Sequence, residues 1–493
     1  MTTMKHLRRA TTSAVPVSAL CLGLLLAFPA CSPQGAPPAA EESAADPMAE
    51  SAENVRLVAY HDLQGRQSCQ VQTRRDAAGR NWLYVAHSPN TRTDPEEPIL
   101  NPITGQQEWN GTSIVEITDP ANPKLVWHIP NDVNANSHAV WVVYDYQFDS
   151  GSPGRDYLIR NFEAGDDLRF QIFDITSRGS DPSQISLVSE ITGTPPDSCG
   201  PGCGGKLTGT AHKGVWSRES GLYYSASGEP EFRTALLHIW DLKDPKNPKF
   251  VNRVWLPGQK DGEPGFKTQR AHHPVLDEAN NRLYIAFFSG GQWTAWDTSD
   301  PAAPKPVWVV DASPPGRAAH TISPIVYDEV PNFKGEALPR TYAFVTEEGL
   351  GPSMLCRGDV RAKAYMVDIT DESNPFPVET WQVPNGDFCE KGGRFGPHQH
   401  AETVNSELNR FEDKLAWVAY FNAGVRVVDL SDPYNLNEVG HYLPKATEYS
   451  HPLAEGQPVS IMTNDVELDD QGLCYVSDRV GSGLFVLEYT GQR

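Results

Sequence analysis

Seven of the chain's 14 histidines stand in short phrases of one kind, in which a small or polar residue precedes the histidine and a largely hydrophobic run follows. The phrases are NSHAVWV with His138, GTAHKGVW with His212, QRAHHPVL with His272 and His273, GRAAHTISPIV with His320, and GPHQHAETV with His398 and His400. Neutral imidazole is a borderline ligand that suits copper, iron, zinc or nickel. Three or four imidazoles converging without an evident thiolate would leave room for water or substrate, as catalytic metal centres do. On extended backbone, residues i and i+2 share a face, so His398 and His400 could both look the same way, with Gly396-Pro397 fixing the chain ahead of them. One of that pair could instead bond a neighbour, and His272 and His273, being adjacent, should point opposite ways. All seven are candidate metal ligands, with His138, His212, His273, His320 and His400 preferred.

Residues this far apart act together only if a repeated element gathers them, and the chain does repeat. A β-branched run, an acid, then Thr or Ser with Asp-Pro recurs in SIVEITDPANP, FQIFDITSRGSDP, LHIWDLKDPKNP, WTAWDTSDPAAP, AYMVDITDESNP and VRVVDLSDPYN, with a degenerate seventh in LFVLEYTG. The marker acids, Glu116, Asp174, Asp241, Asp297, Asp368, Asp429 and Glu488, fall about sixty residues apart. Each phrase follows a second strand-like run, such as RLYIAFF or LAWVAYF, and a further one follows the turn, as in KPVWVVD. Asp-Pro and Asn-Pro cannot continue a ladder and so reverse the chain. With the histidine-bearing run, this makes about four strands per unit. Seven such units, 40 Gly, 41 Pro and no convincing amphipathic helix predict an all-β, seven-bladed β-propeller. A ring also predicts that the last unit borrows a strand from the other end of the chain, near residues 55–60. Two β-sandwiches are the alternative architecture.

In a propeller the first strand of each unit lines the central channel. The histidines begin that strand in five consecutive units, while the first unit has Cys69 and Gln70 there and the seventh Asn464 and Asp465. They should meet near the axis at one mouth. Metal-bound imidazoles pass their other N–H to a carboxylate or carbonyl, and Glu163, Glu229, Glu347 and Glu402 lie where they could accept it. Arg270 and Arg317, each just ahead of a channel histidine, could hold an anionic substrate or pair with those carboxylates. A metal-free channel filled with water-bridged polar groups is the competing reading.

Lys5, His6, Arg8 and Arg9 precede an apolar stretch, Ala14 to Ala30. That order reads as a secretory signal over residues 1–30. Phe28-Pro29-Ala30-Cys31 resembles a bacterial lipobox, which would make Cys31 the lipidated first residue of the mature chain; a plain cleaved signal is the alternative. Residues 31–54 are then expected as a disordered tether, rich in Ala, Pro, Ser and Glu, and residues 55–493 as the propeller. The remaining cysteines are even in number, which suits disulfides in an exported chain. A local Cys199–Cys203 bridge is favoured over a zinc half-site, with Cys356–Cys389 and Cys69–Cys474 as further pairs. The net charge of −22 argues against a nucleic-acid partner.

GVRVVDLSDPYN resembles the LVIVD repeat, whose members are bacterial secreted or surface propellers of mostly unassigned function. The resemblance covers nearly all of the expected mature chain, and implies the fold rather than an activity. The histidine-bearing strand starts are similar to those of methanethiol oxidase and its selenium-binding relatives, which implies copper. Carotenoid cleavage oxygenases, which hold iron with four histidines, share only the geometry. Two functions follow as expectations. One is an envelope-tethered oxidoreductase acting on a small molecule, with copper first and iron or zinc as alternatives. The other is a non-catalytic recognition propeller for a polysaccharide, peptide or protein, built on the insertions SPNTRTDPEEPILNPITGQQEWNGT and YDEVPNFKGEALPR, which could equally form a lid. No G-x-S-x-G elbow or P-loop is present.

Overall fold

The structure is a computed structural model that describes residues 46–88, 97–132, 135–147, 153–164, 168–193, 210–265, 269–288, 290–312, 318–331, 334–349, 362–402, 404, 408 and 414–492. Cys31, Cys199, Cys203, Cys356 and Arg317 lie outside these residues. Among the described residues, no helix is long and apolar enough to cross a membrane.

The strands form seven antiparallel sheets arranged as the blades of a propeller, plus a two-stranded hairpin. The first strands of the blades are Ser68–Arg75, Asn136–Tyr146, Ala211–Trp216, Arg270–Asp277 and Ala319–Pro331, then an irregular segment at residues 395–402, then Thr463–Leu468. These first strands contact one another in succession, so they form the inner ring. Between neighbouring blades the sheet faces bury apolar side chains. Tyr84, Ile114, Val140 and Leu158 pack between blades 1 and 2, and Val427, Tyr442, Val476 and Phe485 between blades 6 and 7.

The recurring acid has a local cause. Asp174, Asp241, Asp297, Asp368 and Asp429 each end the third strand and accept the backbone N–H two residues on, at 2.8–3.0 Å. A carboxylate bonding its own backbone in this way starts a turn. The marker is therefore a structural device, on the face opposite the histidines.

Ring closure follows the expected route: Val55–His61 pairs with Leu484–Tyr489 and completes blade 7. The tether boundary needs correction. Ala49–Glu53 already forms a strand, added to the outer edge of blade 6 against Asn437–Pro444. Composition argued for disorder because these residues bury little apolar surface, but an open sheet edge offers backbone hydrogen bonds that need no apolar side chain.

The two insertions also part ways. The blade 1 insertion carries a hairpin, Ile99–Asn101 with Gln106–Glu108, between the second and third strands, on the face where the histidines start. The blade 5 insertion prolongs the hairpin between Ala319–Pro331 and Ala337–Glu347. Its tip is at the far end of the inner strand from His320, so it is not a lid over the histidines.

Candidate metal centre

Each inner strand breaks register with its neighbour at the same place. Partners skip from Ala139 to Ser137 in blade 2, Ala211 to Gly214 in blade 3, Ala271 to His273 in blade 4, Ala319 to Thr321 in blade 5 and Thr463 to Asp465 in blade 7. The residues left without a partner include His138, His212, His272, His320 and Asn464. A bulge adds a residue to one strand and re-aims side chains. Repeated around the ring, it stacks two layers of polar residues on the axis. The outer layer contains the five consecutive histidines His138, His212, His272, His320 and His398, then Asn464 and Cys69. The next residue of several inner strands contributes to a deeper layer, with Lys213, His273, Gln399 and Asp465.

The five imidazoles are buried and form one continuous arc. Successive ring centroids lie 4.1, 4.0, 4.5 and 4.0 Å apart from His138 through His212, His272 and His320 to His398. Their Nδ1 sides are mostly held by neighbours. Glu163 faces His138 Nδ1 at 3.1 Å and also bonds His212 Nδ1. His320 Nδ1 meets Thr321 Oγ1 at 2.7 Å, and His398 Nδ1 donates to the carbonyl of Asn464. The Nε2 atoms remain as ligands. His212 Nε2 and His272 Nε2 are 2.7 Å apart, and His320 Nε2 is buried with no hydrogen-bond partner. An imidazole held at Nδ1 with its Nε2 lone pair presented is the arrangement of a metal ligand. Asn464 Nδ2 continues the ring by donating to Cys69 O at 2.8 Å.

Among the described residues, two groups of donors could each hold an ion: His138 with His212 and Glu163, and His272 with His320 and Glu348. Within each group the donor atoms lie within 4.8 Å of one another. Burial lowers the pKa of His212, His272, His320 and His398 well below the ordinary value, so these rings are neutral at pH 7, the form that binds metal. Burial acts to raise Glu163, but His138, His212 and Arg270 outweigh it and hold the carboxyl well below its usual range. The donor set of neutral nitrogens and one carboxylate per group fits a borderline transition ion.

The deeper layer is a buried ionic network. Lys213 Nζ donates to Gln399 Oε1, Gln399 Nε2 donates to Glu402 at 2.9 Å, and Glu402 lies 2.6 Å from His273 Nε2. Asp465 accepts backbone N–H groups of Val71 and Val466 at 2.9 and 2.8 Å. Burial raises the Asp465 carboxyl, with the Lys213 ammonium opposing it.

Several expectations change. His272, not His273, joins the arc, and His273 faces Glu402. His398, not His400, belongs to it: His400 bonds Ser323 Oγ at 2.9 Å and Thr346 Oγ1 at 3.2 Å between blades 5 and 6. Strict two-residue alternation fails at a bulge, so spacing alone does not tell which of two adjacent residues faces the axis. Glu229 is paired with Arg253 at 2.7 Å and lies 3.3 Å from His238, within blade 3. Glu347 accepts the backbone N–H groups of Ala318 and Lys363, at 3.5 and 3.1 Å. Its neighbour Glu348 turns to the site instead, 3.6 Å from His272 Nε2, and pairs with Arg394. Arg270 lies 3.5 Å from Glu163.

The proposed Cys69–Cys474 disulfide is absent, and both residues are buried thiols. Cys474 packs in the apolar layer between blades 6 and 7, where burial pushes its thiol well up, whereas Cys69 belongs to the inner strand at the axis. Cys389 is disulfide-bonded, and its partner lies outside the described residues.

With this geometry in view, comparisons with known proteins add a family signature. Residues 412–443 match the LVIVD repeat, over the second to fourth strands of blade 6. No curated protein matches the chain by sequence. Among solved structures, a hypothetical selenium-binding protein from Sulfolobus tokodaii is similar at 12% identity, covering 80% of this chain and 85% of that one with a TM-score of 0.47. A candidate 6-phosphogluconolactonase from Bacteroides uniformis is similar at 12% identity, covering 76% and 85%, with a TM-score of 0.46. At such values the likeness says nothing about activity.

Proposed function

We propose that this chain is an exported, lipid-tethered propeller whose axial histidine arc holds a transition metal, and that it works as an oxidoreductase on a small molecule. The observation that carries the reading is the arc itself, five buried imidazoles from five successive blades with successive ring centroids 4.0–4.5 Å apart. His212, His272 and His320, with Glu348, are the residues that would hold the ion. Copper ranks first, because imidazole-rich donors and an oxidising compartment suit it, with iron or zinc as alternatives. A bound redox ion would supply electron exchange with substrate or an oxidant. The chain's own part is to fix the ring tautomers through Glu163, Thr321 and the Asn464 carbonyl, and to keep the ligands buried. Metal analysis of protein purified from the exported fraction should find about one ion per chain, lost when His212 and His320 are both replaced by Ala. Metal-free protein from metal-replete cells would overturn the reading.

A recognition role is the second reading. It draws on the blade 1 hairpin on the site face, where Leu100 and Ile103 are 56% and 41% exposed. Metal-free protein that retains full binding to an envelope partner would favour it.

A further inference from the structure

A cavity of about 520 Å³ opens beside the arc. It is lined by Glu163 and His212 from the metal centre and by Thr210, Arg233, Thr234 and Arg270, among others. In a chain of net charge −22, two guanidiniums at one cavity stand out. Both have carboxylate neighbours, and Arg233 Nη1 also donates to Gly258 O at 3.4 Å. Arg270 Nη2 is 3.5 Å from Glu163 Oε1 with its side chain 42% exposed, and Glu163 already serves two imidazoles. Arg233 Nε lies 3.5 Å from Asp261 Oδ1, whose side chain is 55% exposed, so solvent screens that pair. With Glu163 as the charged acid of the lining and two arginines against it, the cavity is locally cationic, and an ion in the arc would add to this.

We infer that this cavity takes a small molecule bearing an oxyanion group, a carboxylate or a phosphate, held by Arg270 and Arg233 with its remainder directed at His212. A guanidinium presents N–H donors in a fork that matches two oxygens of such a group. Thr210 and Thr234 are further polar residues of the lining. A cationic recess in an acidic surface also concentrates anions locally. The inference names the substrate class for the metal centre proposed above, and rests on that reading for the substrate's fate but not for its binding.

Inorganic phosphate and acetate, titrated calorimetrically at low ionic strength into the full protein, test it. At least one should bind, and Arg233→Gln/Arg270→Gln should weaken binding at least tenfold, while Arg233→Lys/Arg270→Lys retains most of it. The single Arg233→Gln variant, altering a side chain that is 31% exposed, should show part of the loss with an unchanged urea midpoint. The metal-free His212→Ala/His320→Ala variant should still bind the anion in an arginine-dependent way. Failure of the metal reading is thereby separated from failure of this one. Equal affinity in the double Gln variant, or no binding of either anion with or without copper, would overturn the inference.

Discussion

Gly349 and Gly396 meet backbone to backbone, so that a Cβ placed on Gly396 would lie 2.8 Å from Gly349 Cα. Gly349 N–H donates to Pro397 O at 2.8 Å, and Glu348 N–H to Ala318 O at 2.7 Å. The contact joins blades 5 and 6 immediately beside Glu348 and His398, and Gly396 holds φ +141, a value that side chains rarely adopt. Gly396→Ala is expected to cost on the order of 1–3 kcal/mol in backbone strain. It should also part the blades at the site. The measurement is metal affinity by chelator competition beside a urea titration: affinity should fall at least tenfold, and unchanged affinity would mean the contact does not position the ligands.

Glu163 backs two imidazoles at once. Glu163→Gln keeps its shape and removes its charge, and should weaken metal binding about 10–100-fold, the usual cost of losing an outer-shell carboxylate. The urea midpoint should barely move. A large loss of stability with intact metal affinity would recast Glu163 as a structural ion-pair residue.

Lys213 is buried between Gln399 and the carboxylates Asp465 and Glu402. Lys213→Met should destabilise the fold by about 3–5 kcal/mol, because it strands buried negative charge. Adding Asp465→Asn should recover part of that loss. A double-mutant cycle in urea checks it, and strict additivity would show that the two residues are uncoupled.

Burial pushes His87 down to about 3 and His238 down to about 4, with Glu229 opposing the shift at His238. Unfolding returns both toward about 6.5, so below that pH the unfolded chain binds more protons and stability falls with acidification. Each histidine adds about 1.4 kcal/mol per pH unit to that slope between about pH 6.5 and its folded value. Urea midpoints measured from pH 7 to pH 4.5 should show this, and His87→Gln should make the slope shallower by about one proton. An unchanged slope would mean that His87 titrates normally in the folded state.

Deleting residues up to His61 removes the strand that pairs with Leu484–Tyr489. The bare edge should aggregate. A shorter deletion ending before Val55 removes only the added strand on blade 6 and should stay monodisperse. Light scattering distinguishes the two, and a monodisperse longer deletion would show that the ring does not need its borrowed strand.

The blade count, the closing strand and the histidine-bearing strand starts were legible because repetition multiplies a weak local signal. The bulge was not, since nothing in AHHP tells which histidine turns to the axis. It left a trace all the same: Lys213, His273, Gln399 and Asp465 each follow an outer-layer residue directly, so aligning the units one position later reveals the deeper layer. Glu348 escaped for a similar reason, because in VTEEG neighbouring residues face opposite sides and Glu347 was as plausible as its neighbour. The cysteine pairing failed because Cys69 and Cys474 belong to different layers of the fold, which chain separation cannot show.

Tyr60 donates a hydrogen bond to the carbonyl of Ser482, 422 residues further along. The strand that finishes the last blade thus precedes all the inner strands in the chain and stays unpaired until Leu484–Tyr489 joins it. The inner strands bearing the five arc histidines lie in between. They can stack in order, yet the circle that holds them at fixed curvature locks only when the two distant segments pair, so metal loading would mark the closed ring rather than an open intermediate.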